Sequence, residues 1–234
     1  MTFTDPASVR EHYSSEDRLE TRLAVWRGDS EGRQPQDLAA ASIGSEAPNE
    51  ILEVGCGTGA FAARLLSELP AATLIATDQS MRMVELTRQR GVDARVADVM
   101  DLPFGDATFD VVVAMWMLYH VPDLEGALAQ VRRVLRPGGL FVAATNGDEH
   151  LADLLGEAGG DRLITQFSLE NGRAALARHF GHVERSEVAT RAVFPDHASA
   201  QAYLATFDPR LAEALPAFDG GREYAGAGCV FTAW

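Results

Sequence analysis

Lysine is absent from this sequence; all 20 basic residues are arginine, set against 34 acidic ones. The net charge of −14 repels phosphate backbones over the surface at large. Arginine pairs such as Arg132-Arg133 are isolated and form no basic stripe, so nucleic acid is a poor partner. Cysteine is almost as scarce. Cys56 and Cys229 cannot build a metal cluster by themselves, and their number fits a reduced, cytoplasmic chain. No apolar run approaches the roughly 20 residues that cross a bilayer, so no membrane partner is expected. The start, Met1-Thr2-Phe3-Thr4-Asp5-Pro6, lacks the basic-then-apolar pattern of a secretory leader. What is present is 234 residues at 47% hydrophobic, enough for one large α/β domain or a domain with additions.

The chain is organised around Ile51-Leu52-Glu53-Val54-Gly55-Cys56-Gly57-Thr58-Gly59-Ala60-Phe61. An apolar run stops at three glycines, and a helical pattern starts at once, with Phe61, Leu65 and Leu69 on one face. The pattern predicts strand, tight turn, helix. Glycine permits the unusual backbone angles of such a turn and the close approach of a ligand. The positive end of the helix faces the same spot, so the turn can cradle a nucleotide-like molecule. Gly55 to Gly59 reads G-x-G-x-G, not the G-x-G-x-x-G of dinucleotide sites, which counts against a nicotinamide-dependent dehydrogenase. Asp78 ends the next apolar run, near the separation at which a carboxylate meets a ribose diol.

Strand–helix alternation continues over short loops. Strands are expected at 50–54, 73–78, 93–99, 111–117 and 140–145. Helices are expected at 60–69 and at 81–90, the latter capped by Ser80, with another begun at Asp123 and closed by Pro137-Gly138-Gly139. Apolar strands without alternation predict burial on both faces of a doubly wound parallel sheet, with the ligand beyond the carboxyl ends of the strands. Further on, helices are expected near 150–157, 169–179, 198–206 and 210–215, with strands at 183–189 and 228–234. Upstream, Ser8 to Trp26 reads as a helix with Leu19, Leu23 and Trp26 on one face, followed by a short helix near Asp37.

Four segments carry a resemblance. Glu53 to Gly59, Ala97 to Phe104, Phe109 to Val112 and Val131 to Gly139 resemble, in order, the motifs of the class I S-adenosylmethionine-dependent methyltransferases of small-molecule type. The resemblance implies an α/β, Rossmann-like, doubly wound seven-stranded sheet with an antiparallel seventh strand, helices on both faces and an N-terminal helical lid. It divides the chain into a lid, 1–48, and a cofactor-binding domain, 49–234, of which 146–182 and 190–227 serve the substrate side. His12, Tyr13, Arg18, Arg22 and Trp26 are the lid groups that could face the cleft. Tyr13 is placed near the methionine carboxylate, Gly55, Cys56, Gly57 and Gly59 beneath the amino-acid end, and Glu53 and the Ala114 carbonyl beside its ammonium. Asp78 and Gln79 would hold the ribose diol, Asp98 and Val99 the adenine edge, and Met83 and Met115 the adenosyl faces.

Methyl transfer is an in-line displacement from a sulfonium that already leaves well, so the protein mainly orients the reactants and excludes water. A base is needed only where the acceptor must lose a proton. His120, with Tyr119 beside it, is the expected base or substrate contact; Trp116, Asn146 and His150 follow as acceptor-side groups. No grouped ligands for a metal are visible. The expectation is an enzyme of EC class 2.1.1, a monomer or homodimer. It would convert S-adenosyl-L-methionine to S-adenosyl-L-homocysteine while methylating O, N or C of a small molecule. An RNA or protein methyltransferase, or a cofactor-binding protein without catalysis, are the competing readings.

Overall fold

The computed structural model describes residues 21–234. A short strand β1, Trp26–Arg27, is followed by helix α1, Pro35–Ser45. Strictly alternating elements come next: β2 Glu50–Val54, α2 Ala60–Glu68, β3 Thr73–Asp78, α3 Met81–Gln89 and β4 Asp93–Val96. β5 Phe109–Met115, α4 Leu124–Val134 and β6 Leu135–Asn146 continue the pattern. The remainder comprises α5 Ala152–Glu157, α6 Gly172–Leu176, β7 Val183–Val188, β8 Arg191–Phe194, α7 His197–Ala205, α8 Pro209–Ala214, β9 Arg222–Ala225 and β10 Gly228–Ala233.

Seven strands form one sheet in the order β4-β3-β2-β5-β6-β10-β7, with β10 antiparallel to both neighbours. The expected seven-stranded, Rossmann-like sheet with an antiparallel last strand is therefore what the chain forms. Period-two geometry distributes each strand between two cores. Leu52, Val54, Val112, Ala114, Phe141 and Ala143 face the layer holding α4 and α6. Ile51, Val111, Val113, Val142 and Ala144 face the opposite layer of α1, α2 and α3. Burial on both sides explains why these strands read as unbroken apolar runs. α1 buries Ala39, Ala40 and Ile43 in the second core, so this stretch of the segment expected as a cap belongs to the helical layer of the sheet.

The caps form as their side chains dictate. The Ser80 hydroxyl accepts the Met83 N–H at 3.4 Å, and an Asp123 carboxylate oxygen accepts the Gly126 N–H at 3.0 Å. Three local expectations are corrected. Pro137-Gly138-Gly139 does not close α4; the helix ends at Val134 and runs directly into β6. The triplet instead sits where the β5–β6 register slips, from Phe109 opposite Leu135 to Val111 opposite Leu140. β4 stops at Val96, because Asp98 turns to bridge Asp101. Trp26 is not helical: within the described residues the helix covers 21–24, and Trp26 pairs with Ala192. β1, β8 and β9 make a small antiparallel sheet that the pattern of residues did not announce. It packs with α5, α7 and α8 around Phe194, Tyr203, Leu204 and Tyr224, a third core beside the main sheet.

Candidate active site

A cavity of about 840 Å³ opens where β2, β3, β5 and β6 end, lined by Gly55, Asp78, Met115 and Asn146 at those four tips. Its floor is the β2–α2 turn. Gly55 has φ of 67°, and a Cβ there would stand 2.7 Å from the Met117 side chain, so only glycine fits. Gly57 also has positive φ, 54°, but faces open space. Asp78 clamps this turn from β3. One carboxylate oxygen accepts the Gly57 N–H at 3.0 Å and the other the Ser80 N–H at 2.8 Å. Each oxygen keeps acceptor capacity for a further hydroxyl.

Glu53 is 1% exposed, and its Oε2 has no hydrogen-bond partner. Burial pushes its carboxyl up to about 8, the negative charge of Asp78 adds to the shift, and the Ala62 N–H opposes it. A buried polar oxygen without a partner is costly unless a ligand supplies one. Burial likewise raises Asp78, against the two N–H bonds it accepts. Cys56 is buried against Thr87, with its thiol pushed up to about 12, so it is packing and not a nucleophile.

On the far side of the turn, β5 ends in a strained residue. Trp116 has φ of 54°, a region that large side chains avoid. Its backbone N–H donates to the Ala144 carbonyl at 2.9 Å and its indole Nε1–H to Asn146 Oδ1 at 3.0 Å. Leu118–His120 then make one 3₁₀ turn that sets Tyr119 and His120 on the wall, ring against ring at 4.4 Å.

A family of methyltransferase domains matches residues 52–143, from β2 into β6, the stretch that holds the glycine turn, Asp78, Asp98 and His120. Residues 52–143 are thus similar to a methyltransferase domain. A malonyl-[acyl-carrier protein] O-methyltransferase of Geobacter sulfurreducens is 36% identical over 56% of this chain and 55% of its own length. A 27-O-demethylrifamycin SV methyltransferase of Amycolatopsis mediterranei is 34% identical over 60% of this chain and 56% of its own. The chain thus spans about half the length of the curated relatives it matches. In fold it is similar to the YcgJ protein of Bacillus subtilis, with TM-score 0.62, 18% identity, and 85% of this chain and 96% of that one covered. It is also similar to the [4+2]-cyclase SpnF, with TM-score 0.63, 18% identity, and 100% and 97% covered.

The structure gathers most of the expected residues on one cavity. Glu53, Gly55, Cys56, Gly57, Asp78 and Gln79 line it, as do Met83, Asp98, Val99 and Met115. Two do not. Gly59 caps α2 and packs on Thr87, and Ala114 is fully buried one residue short of the wall. Asp98 is exposed, and one of its oxygens already accepts the Met100 N–H at 2.9 Å, a turn-capping role held together with its place on the wall. Tyr13, His12 and Arg18 lie outside the described residues.

Trp116, Asn146 and His150, expected on the acceptor side, line the same cavity, and Arg22 and Trp26 join them. His150 stacks on Trp26 at 4.5 Å, and its Nδ1 accepts the Ala227 N–H at 3.2 Å. Burial lowers this histidine to about 4, so it is neutral at pH 7. Tyr203 and Phe207 were missed by the sequence reasoning. Tyr203 gave only the signal of a helix face, Ala200, Tyr203 and Leu204, which does not distinguish core from cavity wall.

Proposed function

We propose that the chain is an S-adenosylmethionine-dependent methyltransferase acting on a small molecule. The observation that carries the reading is the buried, unpartnered Glu53 Oε2 beside a glycine turn whose Gly57 faces open space and is held by Asp78. These residues fit the three handles of the cofactor. Glu53 accepts from the ammonium, the Gly55–Gly57 backbone lies beneath the amino-acid end, and Asp78 with Gln79 accepts from the ribose diol. Asp98 and Val99 meet the adenine edge, with buried Met83 against its face. When bound, the cofactor supplies an electrophilic methyl group on sulfonium. The work left to the protein is alignment and exclusion of water.

Tyr119 and His120 stand on the acceptor side; His120 takes the proton of an acceptor that must lose one. Segments 146–182 and 190–227 supply the acceptor wall through Asn146, His150, Tyr203 and Phe207. Of the segment expected as the lid, the described residues Arg22, Leu23 and Trp26 line the cavity, which supports a covering role for them. Calorimetry with S-adenosylhomocysteine tests the reading: micromolar or tighter binding is expected, and a folded protein that does not bind it ends the proposal.

A second reading is a protein of this fold that binds the cofactor without transferring methyl. The similarity to a chain named as a cyclase illustrates how one fold hosts different chemistries. Consumption of S-adenosylmethionine with a methylated product separates the two.

A further inference from the structure

The half of the cavity away from the glycine turn has a chemistry of its own. The glycine turn, Asp78 and Asp98 sit over β2, β3 and β4. Across the switch point, the tips of β5 and β6 meet the small sheet and α7, where five rings, Trp26, Trp116, His150, Tyr203 and Phe207, line the wall beside Leu151, Leu155 and Leu163. These rings are held in place. Trp116 is tied to Asn146, Trp26 lies flat on His150 with 24° between the planes, and Tyr203 meets Trp26 edge-on at 6.5 Å and Phe207 at 5.3 Å. Rigid rings at stacking and edge-to-face angles favour another flat π-system over a flexible chain.

Among the described residues, one imidazole nitrogen beside these rings has no hydrogen-bond partner. Because His150 Nδ1 accepts a backbone N–H, the neutral ring carries its proton on Nε2. That Nε2–H has no partner among the described residues, and His150 lines the cavity. A protonated Nε2 cannot act as a base; it can only donate.

Resting on the methyltransferase reading, we propose that this subsite takes a flat, conjugated acceptor carrying a carbonyl or ether oxygen, and that His150 is the positioning residue that donates to that oxygen. The test uses the full chain loaded with S-adenosylhomocysteine and carrying Trp234→Phe, so that Trp26 and Trp116 report binding by fluorescence. Coumarin is the probe. Octahydrocoumarin, its saturated counterpart, and 1,2-dihydronaphthalene, which lacks oxygen, are the comparisons. Coumarin is expected to quench and to bind roughly fivefold to tenfold more tightly than either, about the value of one hydrogen bond or one ring contact. His150→Phe keeps a ring on Trp26 and removes the donor. It should erase the preference for coumarin over dihydronaphthalene while leaving S-adenosylhomocysteine affinity unchanged, a double-mutant comparison that a purely structural role would not satisfy. The proposal is overturned if coumarin does not bind the loaded protein, if octahydrocoumarin binds equally well, or if the coumarin preference survives in His150→Phe. Failure of the wild-type chain to bind S-adenosylhomocysteine would instead end the methyltransferase reading and leave the probe results to be judged alone.

Discussion

The Trp116 indole donates to Asn146 across 3.0 Å, and this bond joins the tips of two adjacent strands at the point where the cavity changes character. Trp116 adopts a left-handed backbone that its side chain disfavours. Strain of this kind persists only where surrounding contacts enforce it. Asn146→Ala removes the restraint and is expected to cost about 1–2 kcal/mol in urea unfolding. The affinity for S-adenosylhomocysteine should stay near wild type, because Asn146 is proposed to face the acceptor.

Glu53 gives the stability a pH dependence. Its folded pKa of about 8 stands above the ordinary carboxylate value, so between those limits the folded chain holds a proton that the unfolded chain has lost. Its contribution is favourable at low pH and is lost as pH rises towards 8. Wild-type unfolding free energy should therefore fall from pH 5 to pH 8 by an amount on the order of a few kcal/mol from this group, and Glu53→Gln should flatten that part of the profile.

The same acid links cofactor binding to proton release. Protonated Glu53 must ionise to meet an ammonium. At pH 7, binding of S-adenosylhomocysteine should release close to one proton, read by calorimetry in phosphate and Tris buffers of different ionisation enthalpy. Equal heats in the two buffers would contradict the pairing of Glu53 with the ligand amine.

Two glycines of one turn should fail differently. Gly55→Ala drives a Cβ to within 2.7 Å of Met117 at positive φ, and is expected to lower stability by about 2 kcal/mol or more. Gly57→Ala meets no protein atom within 4 Å and carries backbone strain alone, about 1 kcal/mol. It should nevertheless impair cofactor binding at least tenfold, since its methyl enters the proposed cradle. Thermal melts and calorimetry on both variants check the contrast.

The two carboxylates differ in the same way. Asp78→Ala loses the proposed ligand contacts and the tether to Gly57, so affinity should fall tenfold or more together with about 1–3 kcal/mol of stability. Asp98 is exposed, and Asp98→Ala should reduce affinity tenfold with little change in the melt. Both thiols are buried and raised to about 12, so iodoacetamide at pH 8 should label Cys56 and Cys229 only after denaturation.

The glycine-turn half of this molecule was legible because its causes are local. A strand buried on both faces must be apolar throughout, a turn at positive φ needs glycine, a helix start needs Ser80 or Asp123, and each leaves its mark within a few residues. Those marks alone set the order of strands and helices, and with the family resemblance they located the glycine turn, Asp78 and Asp98. The ring-lined half of the cavity has no such marks. Trp26, separated by 124 residues in number from His150, meets it only because β1 pairs with β8 and because the Ala227 N–H turns the imidazole. Whether Tyr203 is core or wall, whether Trp116 is strained, and which nitrogen of His150 is left to donate are set by strands and loops far apart in the chain. Side-chain type is written in the sequence; the partner that fixes its rotamer, tautomer and ionisation arrives only when distant segments pack.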